Sequence, residues 1–176
     1  MNHEPGNAAE AARRLLEKRQ YEIPINVHQV AQDLGLTVIE RDLEDEVSGM
    51  LVVKEGVGTI VVNQNHHINR QRFTIAHEIA HSELHREHID KQVFIDATPV
   101  FFRDTISTEG RSLQEIAANS FAAALLIPEQ KLRELLREQP IDAFDDAALR
   151  RLANLFGVST QALTIRMTRL GLTSLI

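Results

Sequence analysis

The chain has no cysteine, no tryptophan and one tyrosine among its 176 residues. The absence of cysteine excludes disulfides, thiolate-held metal and thiol nucleophiles, so any metal must be held by His, Asp, Glu or water. Aromatic residues are 5% of the chain against 43% hydrophobic overall, so the core must be built of Leu, Ile, Val and Ala. There is no excess of positive charge. With 19 Lys and Arg against 25 Asp and Glu the net charge is −6, which excludes a general nucleic-acid binder held by phosphate attraction. No apolar run approaches the roughly 18 residues of a membrane span, so no membrane partner is expected. The polar N-terminal stretch has no apolar segment of the signal-peptide kind, and the expected compartment is cytoplasmic. The length suits one domain, or one domain with a small appendage.

Periodicity predicts a helix from Ala8 to Arg19 and a short one from Val27 to Leu34, with Asn26 as N-cap and Gly35 at its end. Strands are expected at Leu36–Glu40, Gly49–Val53 and Thr59–Asn63, the last two joined by a hairpin through Lys54–Gly58, and a short strand at Gln92–Ile95. An acidic loop spans Asp42 to Asp45. A helix is predicted from Arg70 to His85, and another from Glu115 to Ile127. The second is apolar around its circumference and is expected to be the central core helix. After Pro140 the pattern reads helix, tight turn, helix, over Asp142–Phe156, Gly157–Ser159 and Thr160–Leu170. There is no internal repeat.

His77-Glu78-Ile79-Ala80-His81 has the form H-E-x-x-H inside the predicted 70–85 helix. Positions i and i+4 share a helix face, roughly 6 Å apart along the axis, where two imidazoles can grip one metal ion. Glu78, next to the first of them, is placed to act as general base on water. The bland alternative is two surface histidines with a coincidental glutamate. Zinc needs a third ligand and an open position. His85, at i+8, is too far along the helix to join the other two. The extended pattern that would supply a third histidine fails at Leu84 and Glu87. That leaves a carboxylate from a second helix. Glu115 is the candidate, with Glu109 as the alternative, and Asn119 on the same face could orient a ligand histidine. Against this, Ser112-Leu113-Gln114-Glu115 also reads as a capping box, in which Glu115 would only close a helix start. His66 and His67, and beyond them His28, Tyr21 and Arg103, are candidates for stabilising an oxyanion.

Arg72-Phe73-Thr74-Ile75-Ala76-His77-Glu78-Ile79-Ala80-His81, followed by Glu115-Ile116-Ala117-Ala118-Asn119-Ser120-Phe121-Ala122-Ala123-Ala124-Leu125-Leu126-Ile127-Pro128, resembles the two sequence blocks of the ImmA/IrrE family of bacterial and phage metallopeptidases. Ala80 stands where glycine is commoner. The resemblance covers about residues 20–175. It implies an α+β fold: a minimal zincin-like metallopeptidase domain of a small sheet and a two-helix zinc core over residues 1–139, with a helix-turn-helix-like helical subdomain over 140–176. It implies zinc on His77, His81 and Glu115, with Glu78 as the catalytic residue, and Mn²⁺ as the alternative metal. It further implies cleavage of a helix-turn-helix repressor of the Cro or phage-repressor type, relieving repression in stress response or mobile-element control. Members of the radiation response carry a further C-terminal sensor domain, which is not expected within these 176 residues.

The C-terminal segment has two readings. Arg166 and Arg169 could contact DNA on a recognition helix. The favoured reading is a helical unit packed against the peptidase body, because the chain is acidic and that helix carries few basic residues. The rival function for the whole chain is a non-catalytic module that binds a repressor or DNA, with a structural metal or none. An exposed edge at Gly49–Val53 is expected to receive an extended substrate as an added strand.

Overall fold

The computed structural model describes residues 5–19, 21–84, 93–96, 109–141 and 145–172. His85, Arg103 and most of the 90–108 stretch lie outside the described residues. The elements run α1 (Pro5–Lys18), α2 (Val27–Asp33), β1 (Thr37–Arg41), β2 (Gly49–Lys54), β3 (Val57–Asn63), α3 (Ile68–Leu84), β4 (Val93–Asp96), α4 (Glu109–Leu126), α5 (Glu129–Glu138), α6 (Asp146–Phe156) and α7 (Thr160–Arg169). This is a mixed α+β architecture.

The sheet has the order β1-β3-β2-β4. β1 runs parallel to β3, pairing Thr37 with Thr59 and Arg41 with Asn63. β2 and β3 form an antiparallel hairpin whose turn, Glu55-Gly56, has φ of 53° and 79°. Two left-handed residues match the strand twist of a two-residue hairpin, and glycine takes the second at little cost. β4 pairs antiparallel with β2, from Gly49–Asp96 to Val52–Val93. The expected free edge at Gly49–Val53 is therefore overturned. β2 is an inner strand with both sides paired, and the outer edges belong to β1 and β4. Alternation alone cannot tell an inner strand from an edge, because it records faces and not neighbours.

One face of the sheet is buried through Leu51, Ile60 and Val62, each 0% exposed. α3 packs on this face and α4 packs on the other side of α3. α3 is thus enclosed, and all eight residues from Thr74 to His81 are buried. The expectation that the most apolar helix would be the central one holds only for the second half of α4. Near its start Leu113 and Ile116 are 48% and 42% exposed, while the polar stretch of α3 is sealed. The close approach of α3 to the sheet needs Gly49, where a Cβ would stand 2.5 Å from Thr74 Cγ2 and 2.6 Å from the Val61 carbonyl oxygen.

α4 begins six residues before the expected Glu115, because serine costs little inside a helix and Ser112 need not cap one. Glu115 lies in the second turn, which overturns the capping-box reading. α6 begins later than expected, where Asp145 caps it by accepting from the Ala147 and Ala148 amides at 2.9 and 3.0 Å. Gly157 ends it at φ 64°, and Ser159 caps α7 by accepting from Ala162 N at 3.1 Å.

Helix C-termini draw on arginines from elsewhere in the chain. Arg19 donates to the Asp33 carbonyl at the end of α2, and Arg166 to the Ile127 carbonyl at the end of α4. Arg72 on α3 donates to Gly157 O at 2.9 Å, to Ile25 O at 2.9 Å and to Phe156 O at 3.3 Å. A guanidinium at a helix C-terminus meets both the orphan carbonyls and the negative end of the dipole. Burial pulls the Arg72 and Arg166 pKa values down. Arg166, at 8% exposure, is therefore a packing residue and not the DNA-contacting cation of the less favoured reading. Residues of α6 and α7, among them Leu152, Phe156 and Leu163, belong to the same buried cluster as Ile75, Ile79 and Phe121.

Gly49→Ala should destabilise the protein by about 1–3 kcal/mol, since neither Thr74 nor a strand carbonyl can retreat cheaply. Gly6→Ala, with open space around its Cβ, should leave stability unchanged or slightly raised. Chemical denaturation of both variants checks the pair.

Candidate metal centre

The site forms where α3 meets α4. His77 and His81 are one turn apart on the enclosed helix, at 1% and 2% exposure, with rings edge to face at 4.7 Å. Their Nε2 atoms stand 3.0 Å apart. From α4, Glu115 brings Oε2 to 3.2 Å from His77 Nε2 and Oε1 to 3.4 Å from His81 Nε2. The Glu115 side chain is 37% exposed, so the cluster has a sealed floor and an open mouth. One ligand-type atom from each residue lies within 4.8 Å of the others, and among the described residues this group has three members.

These distances fit an ion. Tetrahedral ligands bonded at roughly 2.0–2.1 Å stand about 3.3 Å from one another. The observed separations of 3.0, 3.2 and 3.4 Å bracket that value. The donor set, two imidazoles and a carboxylate, is the type that binds zinc with one position left over. Tautomer chemistry agrees. His77 Nδ1 donates to Asn119 Oδ1 at 3.0 Å. A proton held on Nδ1 leaves the Nε2 lone pair facing Glu115 and His81. Asn119 can do this because it lies four residues after Glu115 on the same face of α4.

Glu78 follows His77 on α3 and is 0% exposed. A carboxylate is costly to bury, and its place beside the cluster sets it apart from the exposed acidic residues of the 42–46 loop. Phe73, one turn before His77, lies 6.3 Å from it, ring to ring.

Not every residue singled out in the sequence joins this group. His67 caps the far end of α3, where its Nδ1 accepts from Asn69 N at 3.2 Å. Ten residues of helix, roughly 15 Å, separate it from His77. His66 Nε2 meets the Asp45 carbonyl at 3.0 Å and helps fix the acidic loop. Neither can reach an oxyanion at the cluster. Tyr21 donates to Asp33 at 2.7 Å, and burial together with that carboxylate pushes its hydroxyl up to about 12. His28 is exposed on α2. Glu109 opens α4, six residues before Glu115. The residue that motif reading left without a role is Arg72. Its signal was a cation set beside the apolar residues Phe73, Ile75 and Ala76 of the same helix.

Residues 31–168 match the IrrE N-terminal-like domain family, Peptidase_M78. The chain belongs to this family. No curated protein matches it. Among solved structures it is similar to a Mycobacterium tuberculosis transcriptional regulator, with a TM-score of 0.62 and 21% identity over 93% of this chain and 46% of that one. The chain therefore spans about half the length of that structure, and at this identity the likeness is one of fold. As an M78 domain the chain carries a peptidase-family scaffold, with its two-histidine helix and its carboxylate helix in direct contact.

Zinc should bind this M78 domain at one ion per chain, and His77→Ala or His81→Ala should abolish binding. Glu115→Ala should weaken it, as expected when one of three ligands is lost. Asn119→Ala should weaken it by about 10–100-fold, the usual effect of losing the partner of a ligand histidine. Calorimetric titration reads all four.

Proposed function

We propose that this chain is a zinc-dependent endopeptidase, with His77, His81 and Glu115 as the metal ligands and Glu78 as the general base. The observation that carries the reading is the buried Glu78 adjoining a three-member cluster that opens to solvent on one side. Among the described residues the group has three members, and a fourth protein ligand would have argued for a structural metal. The ion, when bound, would polarise the scissile carbonyl and lower the pKa of its water towards about 7; Mn²⁺ is the alternative occupant. Glu78 takes the proton of the attacking water and delivers it to the leaving nitrogen, since cleavage of an amide requires that the amine depart protonated. Asn119 holds His77 in the tautomer that leaves Nε2 free to coordinate.

The outer edge of β4 is the proposed seat for substrate, in place of β2. Among the described residues no strand pairs with its outer side, which can take an extended segment as a further strand. Such a segment must come from a loop or frayed helix end, because an intact helix offers no free backbone. The substrate class we propose is a helix-turn-helix transcriptional repressor, with cleavage relieving repression in stress response or mobile-element control in the cytoplasm. The net charge of −6 suits approach to a basic DNA-binding protein. Direct DNA contact through α7 is not favoured, because Arg166 is engaged with the Ile127 carbonyl. We propose residues 140–176 as a helical, helix-turn-helix-like subdomain that supports the body over residues 1–139. Among the described residues no helix is long and apolar enough to cross a membrane.

Glu78→Gln should keep its zinc and lose at least about 10²-fold in cleavage rate. The decisive experiment incubates a candidate repressor with zinc- or manganese-loaded wild type and with Glu78→Gln, and reads intact mass. One or two discrete products from wild type alone are expected. Tight binding by both proteins with no cleavage under either metal would replace the peptidase with a sequestering module.

A further inference from the structure

The two histidines and Glu115 are held by different means. His77 and His81 are fixed because α3 is closed in by the sheet and by α4. Glu115 is partly exposed, and its neighbours Leu113 and Ile116 face outward. Its position therefore depends on where the backbone of α4 lies. α4 touches α3 on one side, and its most extensive helix contact is with α1, the first helix of the chain. α1 precedes the residues matched to the family, 31–168.

α1 is built for close docking. Ala8 and Ala12, one turn apart, are 2% and 0% exposed. Ala9, Ala11, Leu15 and Leu16 are partly buried beside them. The opposite face carries Glu10, Arg13 and Glu17, with Arg13 in ion pairs one turn back and one turn on. Small side chains let two helix backbones approach, so a change at Ala8 or Ala12 moves α4 directly. The end of α1 is clamped as well. Arg19 pairs with Asp33 at 2.5 Å, and Tyr21 and Gln29 donate to the same carboxylate at 2.7 and 2.9 Å.

We propose that α1 is a brace for the metal centre: it sets α4, and with it Glu115 and Asn119, against the histidines of α3. Ala8 and Ala12 are then positioning residues, far from the cluster in sequence and acting only through α4. The tolerance of a metal site makes this consequential, because ligand distances must hold to about 0.2 Å. The proposal rests on the metal-centre reading above.

The test uses the full chain with Ala12→Glu, which buries a carboxylate between α1 and α4, and Arg14→Glu on the exposed side of α1 as control. Three quantities are measured: amide exchange of α1, zinc affinity by chelator competition, and the visible spectrum of the Co²⁺-loaded protein. The expected result is loss of α1 protection, a zinc Kd raised about 10-fold or more, and a Co²⁺ spectrum shifted towards that of Glu115→Ala, with the control unchanged. A merely stabilising helix would lower the unfolding temperature and leave the spectrum alone. Loss of α1 protection with wild-type Kd and spectrum overturns the brace. If Ala12→Glu unfolds the whole chain, Asp33→Ala replaces it. That variant releases the clamp without burying a charge, and should weaken zinc in the same direction by a smaller factor; unchanged affinity there with loosened α1 overturns the proposal equally. If wild type itself takes up neither zinc nor Co²⁺, the metal-centre reading fails and the brace falls with it.

Discussion

The enclosure of α3 is the constraint on which the rest of this structure depends. A helix with sheet on one side and α4 on the other has no solvent face between Thr74 and His81. Such a helix would ordinarily be apolar all round. This one carries threonine, two imidazoles and a carboxylate at those positions. Polar groups in that setting are tolerated only if each finds a partner. For the two imidazoles those partners come from α4, in the form of Glu115 and Asn119. The cost of burying polarity thus fixes which faces of the two helices meet, and the same contact assembles the cluster.

Close packing of α3 requires room on its other side. Gly49 provides it on β2, where any Cβ would collide with Thr74 and with the backbone of β3. The hairpin and the parallel β1 then form a platform whose buried face is purely aliphatic. A chain so poor in aromatics has few large side chains with which to lock its helices together. Arginine does part of that work here. Buried or half-buried guanidinium groups reach across to helix ends, where several carbonyls converge. Arg72 joins α3 to the end of α6, and Arg166 joins α7 to the end of α4. The C-terminal helices are held to the body by two such links in opposite directions, in addition to their shared core.

Much of this was legible in the residue order. Period-3.6 apolar spacing located the helices, and alternation located the strands. The Asn26 cap and the turn at Gly157–Ser159 were read correctly from their chemistry. The pairing of His77 with His81 follows from helix geometry alone. Boundaries were harder. Ser112-x-x-Glu115 imitates a helix start inside a helix, because a capping box is a local pattern and the extension of α4 is decided by what it packs on. The burial of Arg166 could not be read from spacing, which gives its face but not what covers that face. His66 and His67 looked available for catalysis, yet a loop histidine close in sequence to α3 lies at the opposite end of that helix from the cluster.

The sequence by itself determined the local chemistry: which residues could bind a metal, which helix carried two of them, and which family the chain resembles. Those are properties of short stretches, set by backbone geometry and side-chain type. Tertiary structure decided everything that joins distant stretches. It chose Glu115 as the carboxylate facing the histidines, turned Asn119 onto His77, made β2 an inner strand by pairing it with β4, and laid α1 along the ligand helix. Contacts between residues 77 and 115, or between α1 and α4, carry no local signature. They arise when several elements bury their faces together, and the energy that selects them belongs to the packed whole.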